Sequence, residues 1–487
     1  MIRATPALLA LALVLPPSGA GGAGETRGER RARLLAPTTD FTRAESHEAM
    51  QGGSGTNRAR LDRDAFSLPS AALSFAERAD FFVGNGVFDR PWVAAPSSTT
   101  ASDGLGPLHD ARSCQGCHVK DGRGRPPGPG EGAGVSTVFA LPGPGGAPDP
   151  VLGRQLQDQA VPGRAGEGRV IVTYEEVPFR YPDGTTTTLR RPRYATDAAL
   201  APGTALGPRI APPMIGLGLV EAIAEADLLA HADPDDADGD GVSGRAAVTE
   251  DGSIGRFGWK ASSPTLLHQS ATAFSLDMGL STRLFPEPWG DCTPMQPECR
   301  EAPHGDANSI PPGAPEIADE LLDLVVFYAS HLAVPARRDA EEASVLMGKA
   351  LFYAARCTAC HVPKFATRAD APPGQANQLV WPYSDFLLHD MGEGLADPSP
   401  AGDRSAGDGV GGAAGGATAA EWRTPPLWGI GLTEAVSGHT HFLHDGRARS
   451  LEEAVLWHGG EAAASRDAFA AAPPERRAAL IRFLESL

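Results

Sequence analysis

Two short runs place cysteine and histidine at a spacing that does chemistry: Cys114-Gln-Gly-Cys117-His118 and Cys357-Thr-Ala-Cys360-His361. Two thiols three positions apart can each add across a vinyl group of a porphyrin. The histidine that follows then presents its imidazole to the iron. The chain holds 6 Cys and 13 His among 487 residues, a composition that yields about 0.002 such runs by chance. Two runs therefore point to two covalently bound haem c groups. A redox dithiol has no need of the histidine, and a zinc site wants further ligands at short spacing, which neither run has beside it.

The other two cysteines, Cys292 and Cys299, stand seven apart in a Pro-rich stretch. In an oxidising compartment they read as a local, loop-closing disulfide. Residues 1–20 fit a secretory signal peptide: Arg3, an apolar run, then Ser18-Gly19-Ala20. A periplasmic or secreted location is expected, with no integral membrane segment after processing. A net charge of −18 argues against nucleic acid as a partner and suits a basic electron-carrier protein, a small cytochrome c or a cupredoxin.

A third set of residues could hold a hard cation. Asp236-Ala-Asp238-Gly-Asp240-Gly241 starts like a calcium loop, with carboxylates at alternate positions before a glycine. Position twelve is Ala247 instead of Glu, and Glu250 is the nearest substitute. Ca2+ and a plain solvated acidic turn both remain open.

The elements that must position these groups read as follows. Apolar residues from Phe75 to Phe88 precede the first motif, and a Gly/Pro-rich loop follows it over 121–150. Val170–Tyr174 and Thr185–Leu189, split by Pro182-Asp183-Gly184, predict a β-hairpin. Helical periodicity predicts helices over 217–230, 316–332 and 474–487, and one from Ala340 into the second motif. A Gly/Ala-rich linker spans 401–420. The fold expected is mainly α: two cytochrome c-like haem domains with a β-hairpin insertion and long loops. The division is a flexible lead-in over 21–70, an N-terminal haem domain over 71–335 carrying the hairpin and acidic loop, and a C-terminal haem domain over 336–487. A weak internal repeat supports two related units. Trp259 precedes Leu266 by seven positions, as His444 precedes Leu451, each leucine standing where a helix should start.

Several strings together resemble a known family: Asp103-Gly-Leu-Gly-Pro-Leu, the first motif extended to Arg123-Gly, Gly216-Leu-Gly-Leu-Val-Glu-Ala, Gly255-Arg-Phe-Gly-Trp-Lys-Ala, Leu388-His-Asp-Met-Gly, Trp422-Arg-Thr-Pro-Pro-Leu-Trp and the run over 442–454. The chain resembles the bacterial di-haem cytochrome c peroxidase superfamily over roughly residues 70–487, and within it the di-haem oxidoreductase branch, which carries both peroxidase and thiol-oxidoreductase labels. The resemblance implies an N-terminal haem that reacts and a C-terminal haem that relays electrons. It puts the second iron's distal ligand at His458, opposite His361, with Met391 as the runner-up. A helix-end histidine that only caps a carbonyl is the competing reading.

For the first site, the resemblance implies a Trp between the haems, a Gln ten positions on, and an acid that acts on peroxide. Trp259 and Gln269 keep that spacing. The acid falls on Asp277, two residues early and one carbon short, with Met278 and His268 as alternative iron ligands. The expected function is an exported, peroxidase-like di-haem oxidoreductase taking electrons from a carrier and passing them to a small oxidant such as hydrogen peroxide. A non-catalytic electron-transfer cytochrome and a haem-based sensor are the alternatives.

Overall fold

The computed structural model describes residues 26–132, 136–249, 251–308, 313–398 and 416–487. The signal peptide over 1–20, most of the Gly/Ala linker and Glu250 lie outside the described residues. Residues up to Pro37 make a unit of their own. Its described part is the Arg27–Leu35 helix, opened by a reciprocal cap in which Thr26 and Glu29 each accept the other's backbone N–H. Residues Thr38–Leu487 form the second unit, to which everything below refers.

The mainly-α class is corrected by the secondary structure, which is 30% helix and 15% strand. Among the described residues the strands lie in five separate two-stranded antiparallel sheets. The cause is composition. With 58 Gly and 44 Pro, few segments can run a long helix, and short extended pieces find single partners instead. The largest sheet is a hairpin, Val170–Arg180 against Thr186–Thr196. Its tip belongs to the core of the C-terminal part, where Tyr181 and Leu189 pack with Val345, Phe352, Trp457 and Phe483. Tyr181 Oη also donates to Glu452 Oε1 at 2.8 Å.

Two helix pairs bracket the two motifs. The Phe75–Phe88 helix before the first motif packs against Asp319–Ser330, and the Ala343–Ala354 helix before the second packs against Pro474–Ser486. Each crossing is close because a glycine faces the partner backbone. A methyl at Gly84 would strike Leu324 O, and one at Gly348 would strike Ala479 O.

The helix expected over 217–230 is broken into Leu217–Glu221 and Glu225–Leu229. Ile223, between them, forms a β-bridge with Thr367, and the buried Arg256 guanidinium donates to the carbonyls of Val220, Glu221 and Ile223. A distant cation thus takes the acceptors that a continuing helix would use.

The expected lead-in also holds packed structure. Glu48 is buried and pairs with Arg337 and with Lys349 Nζ at 2.9 Å, while Glu45 holds Lys349 at 2.9 Å and Lys364 at 2.5 Å. The segment looks polar in sequence because its work is ionic. It clamps the helix before the second motif and a residue just after it.

Two glycines in one helix separate packing from propensity. Gly84→Ala is expected to lower the urea midpoint, with a loss of about 1–3 kcal/mol. Gly86→Ala, which meets nothing within 4 Å, is expected to raise stability by roughly 0.5–1 kcal/mol in the same denaturation measurement.

Candidate haem-binding cavities

The first motif is a single turn of helix, Cys114–Cys117, started by Ser113 Oγ accepting from Gly116 N–H at 3.2 Å. The turn ends on His118, whose Nδ1 donates to Pro212 O at 2.8 Å. That bond sets the tautomer and leaves Nε2 for a metal. A cavity with about 1910 Å³ of empty space, its open mouth included, is lined by Cys114, Cys117 and His118. The Leu266–Met278 helix contributes Gln269, Asp277 and Met278 to the same cavity. His268 is turned away, its Nδ1 bonded to Ser263 Oγ at 3.0 Å.

The second motif repeats the design. Cys357–Ala359 is one tight turn, and His361 Nδ1 donates to Tyr383 O at 2.8 Å. The cavity beside it, about 1330 Å³ with its mouth, is lined by Cys357, Cys360, His361, Met391 and His458. His458 ends the Leu451–Trp457 helix, and its Nδ1 donates to Ala454 O at 2.7 Å. It does cap a carbonyl, and the cap itself leaves Nε2 available. The rings of His361 and His458 have their centres 6.5 Å apart. Two metal–imidazole bonds of about 2.0 Å plus the half-width of two rings span about 6 Å, so one iron fits between them.

The cysteines are not tuned for redox cycling. Burial pushes the thiols of Cys114 and Cys357 up to about 12, and those of Cys117 and Cys360 upward as well. A reactive dithiol needs the opposite shift. His118 and His361 are pushed down to about 4 by burial, which keeps the imidazoles neutral and ready to ligate. Paired thiols, a neutral histidine with a free Nε2 and an adjoining cavity fit a haem at each motif. Cys292 and Cys299 are joined as a disulfide.

Trp259 lines both cavities and donates Nε1–H to Ile210 O at 2.8 Å. Its ring centre is 6.5 Å from that of His444, which stacks on Trp422 at 3.6 Å. The two leucines of the internal repeat open the Leu266–Met278 and Leu451–Trp457 helices, capped by Thr265 and Ser450. The rings that precede them meet at the junction of the cavities.

Asp277, half-buried, belongs to a group of acids that sequence reading did not find. Gln155 Nε2 donates to Asp277 Oδ1 at 2.9 Å and to Asp110 Oδ2 at 2.6 Å. Burial pushes Asp277 up to about 6 and Asp110 well above the usual carboxylate range. Asp110 lies four positions before Cys114, but only the chain's return at residue 155 shows what it touches. On the second side, His389 was also missed. It lies buried between Asp385 Oδ2 at 2.8 Å and Glu461 Oε2 at 2.7 Å, and those carboxylates hold its pKa far above the usual imidazole range despite burial.

The acidic loop differs in detail from its expected ligand set. Carboxylates of Asp233, Asp236 and Asp238 lie within 4.8 Å of one another. Asp240 is diverted into an ion pair with Arg356, the residue before Cys357. Asp233, which the motif did not include, takes its place, because the turn at Asp236–Gly239 folds the chain back on that residue.

This arrangement defines a class: a chain with two cysteine–histidine cavities meeting at one tryptophan, each built to hold a haem. The family model described as "Di-haem oxidoreductase, putative peroxidase" matches residues 46–134 and 151–487, and the chain belongs to that family. No curated protein matches the sequence. Among solved structures, a chain of Kuenenia stuttgartiensis hydrazine synthase is similar at 12% identity and a TM-score of 0.29, covering 89% of this chain and 97% of its own. Among the described residues no helix is long and apolar enough to cross a membrane.

Asp291 gives a pH test of this architecture. Its Oδ2 accepts the backbone N–H groups of Arg154 at 2.6 Å and Gln155 at 3.0 Å, and burial pushes it from 3.8 up to about 7. An acid raised on folding contributes stability below its unfolded value that is lost as pH rises through the folded one. Asp291 should therefore contribute a component of stability that falls as pH rises from 4 to 7, read by urea denaturation of the wild type against Asp291→Asn. Asp291→Asn should flatten that slope by up to about 1.4 kcal/mol per pH unit.

Proposed function

We propose that this chain is an exported c-type di-haem oxidoreductase with a peroxidase-like layout. In this reading Cys114 and Cys117 attach one haem and Cys357 and Cys360 the other, with His118 and His361 as proximal ligands. The observation that carries it is the His361–His458 pair, with ring centres 6.5 Å apart in a cavity that both cysteines line. Bound haem iron supplies one-electron chemistry and, where an axial position is open, a seat for a small oxidant such as hydrogen peroxide.

The residues divide that work between two unlike sites. His458 closes the second iron, which suits that site to exchange electrons with a carrier protein. The acidic chain, at net −18, favours a basic one. The first site faces Gln269 and Asp277 instead. Asp277, near 6, can hold a proton at its carboxyl and release it at neutral pH, which a general acid–base group must do. The Gln155 amide keeps that carboxyl in place. Trp259, lining both cavities, is the aromatic conduit in this reading. The division into haem domains near residue 335, a periplasmic or secreted location, and calcium held by Asp233, Asp236 and Asp238 belong to the same proposal.

One observation favours a second reading, a pure electron-transfer cytochrome. Met278, buried and lining the first cavity beside Asp277, is a sulfur ligand that would close that iron as well.

The mass of protein purified from a cytochrome-competent host should exceed the processed chain by two haems, and a bare chain mass would end the proposal. His458→Gly should convert only the second haem to a five-coordinate spectrum, with the first unchanged. Adding cyanide or peroxide should move the wild-type spectrum. A protein that stays low-spin and unmoved in every redox state would establish the electron-transfer reading instead.

A further inference from the structure

The described residues include ten buried lysines and arginines: Arg123, Arg209, Arg256, Lys260, Arg337, Lys349, Lys364, Arg423, Arg447 and Arg477. Eight of them have a carboxylate within 4 Å. The two exceptions are Arg123 and Arg423. These two, with Trp259 and Pro425, are also the four residues that line both cavities. The fold pairs its buried cations everywhere except where the cavities meet.

Neither guanidinium has a carboxylate in ion-pair range: Arg123 leaves Nε without a partner, and Arg423 is held by backbone carbonyls alone. Arg123 is 8% exposed. Its Nη1 reaches only Leu443 O, at 3.3 Å, and its Nε has no hydrogen-bond partner. Arg423 is 7% exposed and donates to the carbonyls of Gly258 at 2.8 Å and Thr424 at 3.2 Å. Asp385 acts on Arg423 from beyond ion-pair distance and is itself bonded to His389. The pair flanks Trp259: Arg423 N–H donates to Trp259 O at 3.0 Å, and the Arg123 guanidinium lies 5.8 Å from the Trp259 ring centre. Leaving two buried cations without an anion is costly, and a carboxylate delivered from the cavity removes that cost. A planar fork of donors is shaped for such a group.

We infer that Arg123 and Arg423 form a shared carboxylate clamp that binds the propionates of both haems and joins the two sites electrostatically. This rests on the reading that each cavity holds a haem. A haem carries two propionates, so two bound haems would bring up to four negative charges into these cavities. Each arginine borders both cavities, so each acts on both irons. Each fixed charge then raises the reduction potential of both haems, and Trp259 touches both residues, through the Arg423 backbone N–H and the Arg123 guanidinium.

The test uses the holoprotein, with haem first counted by the pyridine haemochrome assay. Fewer than two haems per wild-type chain would fail the underlying reading and leave the clamp unneeded. With two haems present, Arg123→Gln and Arg423→Gln are each expected to lower both reduction potentials. The reduced fraction of each haem at a fixed poise should fall about tenfold, because removing a buried positive charge favours the ferric form. Resonance Raman propionate bending bands should shift with them. Arg123→Lys and Arg423→Lys, which keep the charge but not the fork, should hold the potentials while still shifting those bands. A change confined to one haem, or to neither, overturns the clamp. So does a wild-type spectrum that responds to added acetate while the glutamine variants do not, since the arginines would then serve a free carboxylate.

Discussion

Both irons of this protein would depend on a single kind of bond, a histidine Nδ1–H given to a backbone carbonyl that the chain brings from far away. His118 uses Pro212 O and His361 uses Tyr383 O. The bond does three things at once. It fixes the tautomer, turns the ring, and leaves Nε2 as the free nitrogen. His458 is set by the same device through Ala454 O, one helical turn back. Three histidines are thus prepared alike, each with Nε2 left free, and two of them have ring centres 6.5 Å apart.

The carbonyls must themselves be held, and the hold is ionic. Tyr383 Oη donates to Glu48 Oε1 at 3.0 Å, and Glu48 is the anion on which Arg337 and Lys349 converge. On the first side, Tyr328 Oη donates to Asp121 Oδ1 at 2.7 Å, and Asp121 O accepts the backbone N–H of Met214, two residues past Pro212. In each half a buried tyrosine–carboxylate pair stiffens the segment that carries the histidine's acceptor. Breaking such a pair leaves a buried charge uncompensated, a larger loss than the pair's own contribution. The design therefore favours a fixed geometry over a merely stable one.

Charge differs sharply between the two ends of the first cavity. Arg123 and Arg423, without a carboxylate in ion-pair range, stand at its junction with the second, while Asp110, Asp158 and Asp277 stand near the cysteines; burial raises all three carboxyls, and the other two acids raise Asp110 further. Burial thus favours the protonated carboxyls beside Cys114 and Cys117, and the arginines favour negative charge at the Trp259 end. A redox site that takes up protons and electrons together gains from that separation, because the groups serving each do not neutralise one another.

Much of the site could be read in one dimension. The two Cys-x-x-Cys-His motifs and the two repeat leucines are local patterns, each set by neighbours within a turn or two of chain, while Trp259, Gln269 and His458 rest on the family resemblance. The hairpin followed from period-two residues around Asp183-Gly184. The overall class did not, because proline and glycine spread through the loops replaced long helices with paired short strands, and no window of sequence shows which strand will pair with which. Nor did the ionic role of Glu45 and Glu48, the Gln155 bridge between Asp110 and Asp277, or the substitution of Asp233 for Asp240. The residues of the chain settle which atoms can bond a porphyrin, since that chemistry lies within five consecutive positions. Which carbonyl turns each ring, which carboxyls are raised and which arginines lack a carboxylate depend on segments tens to hundreds of positions apart, and only their packing out of water gives those groups their energies.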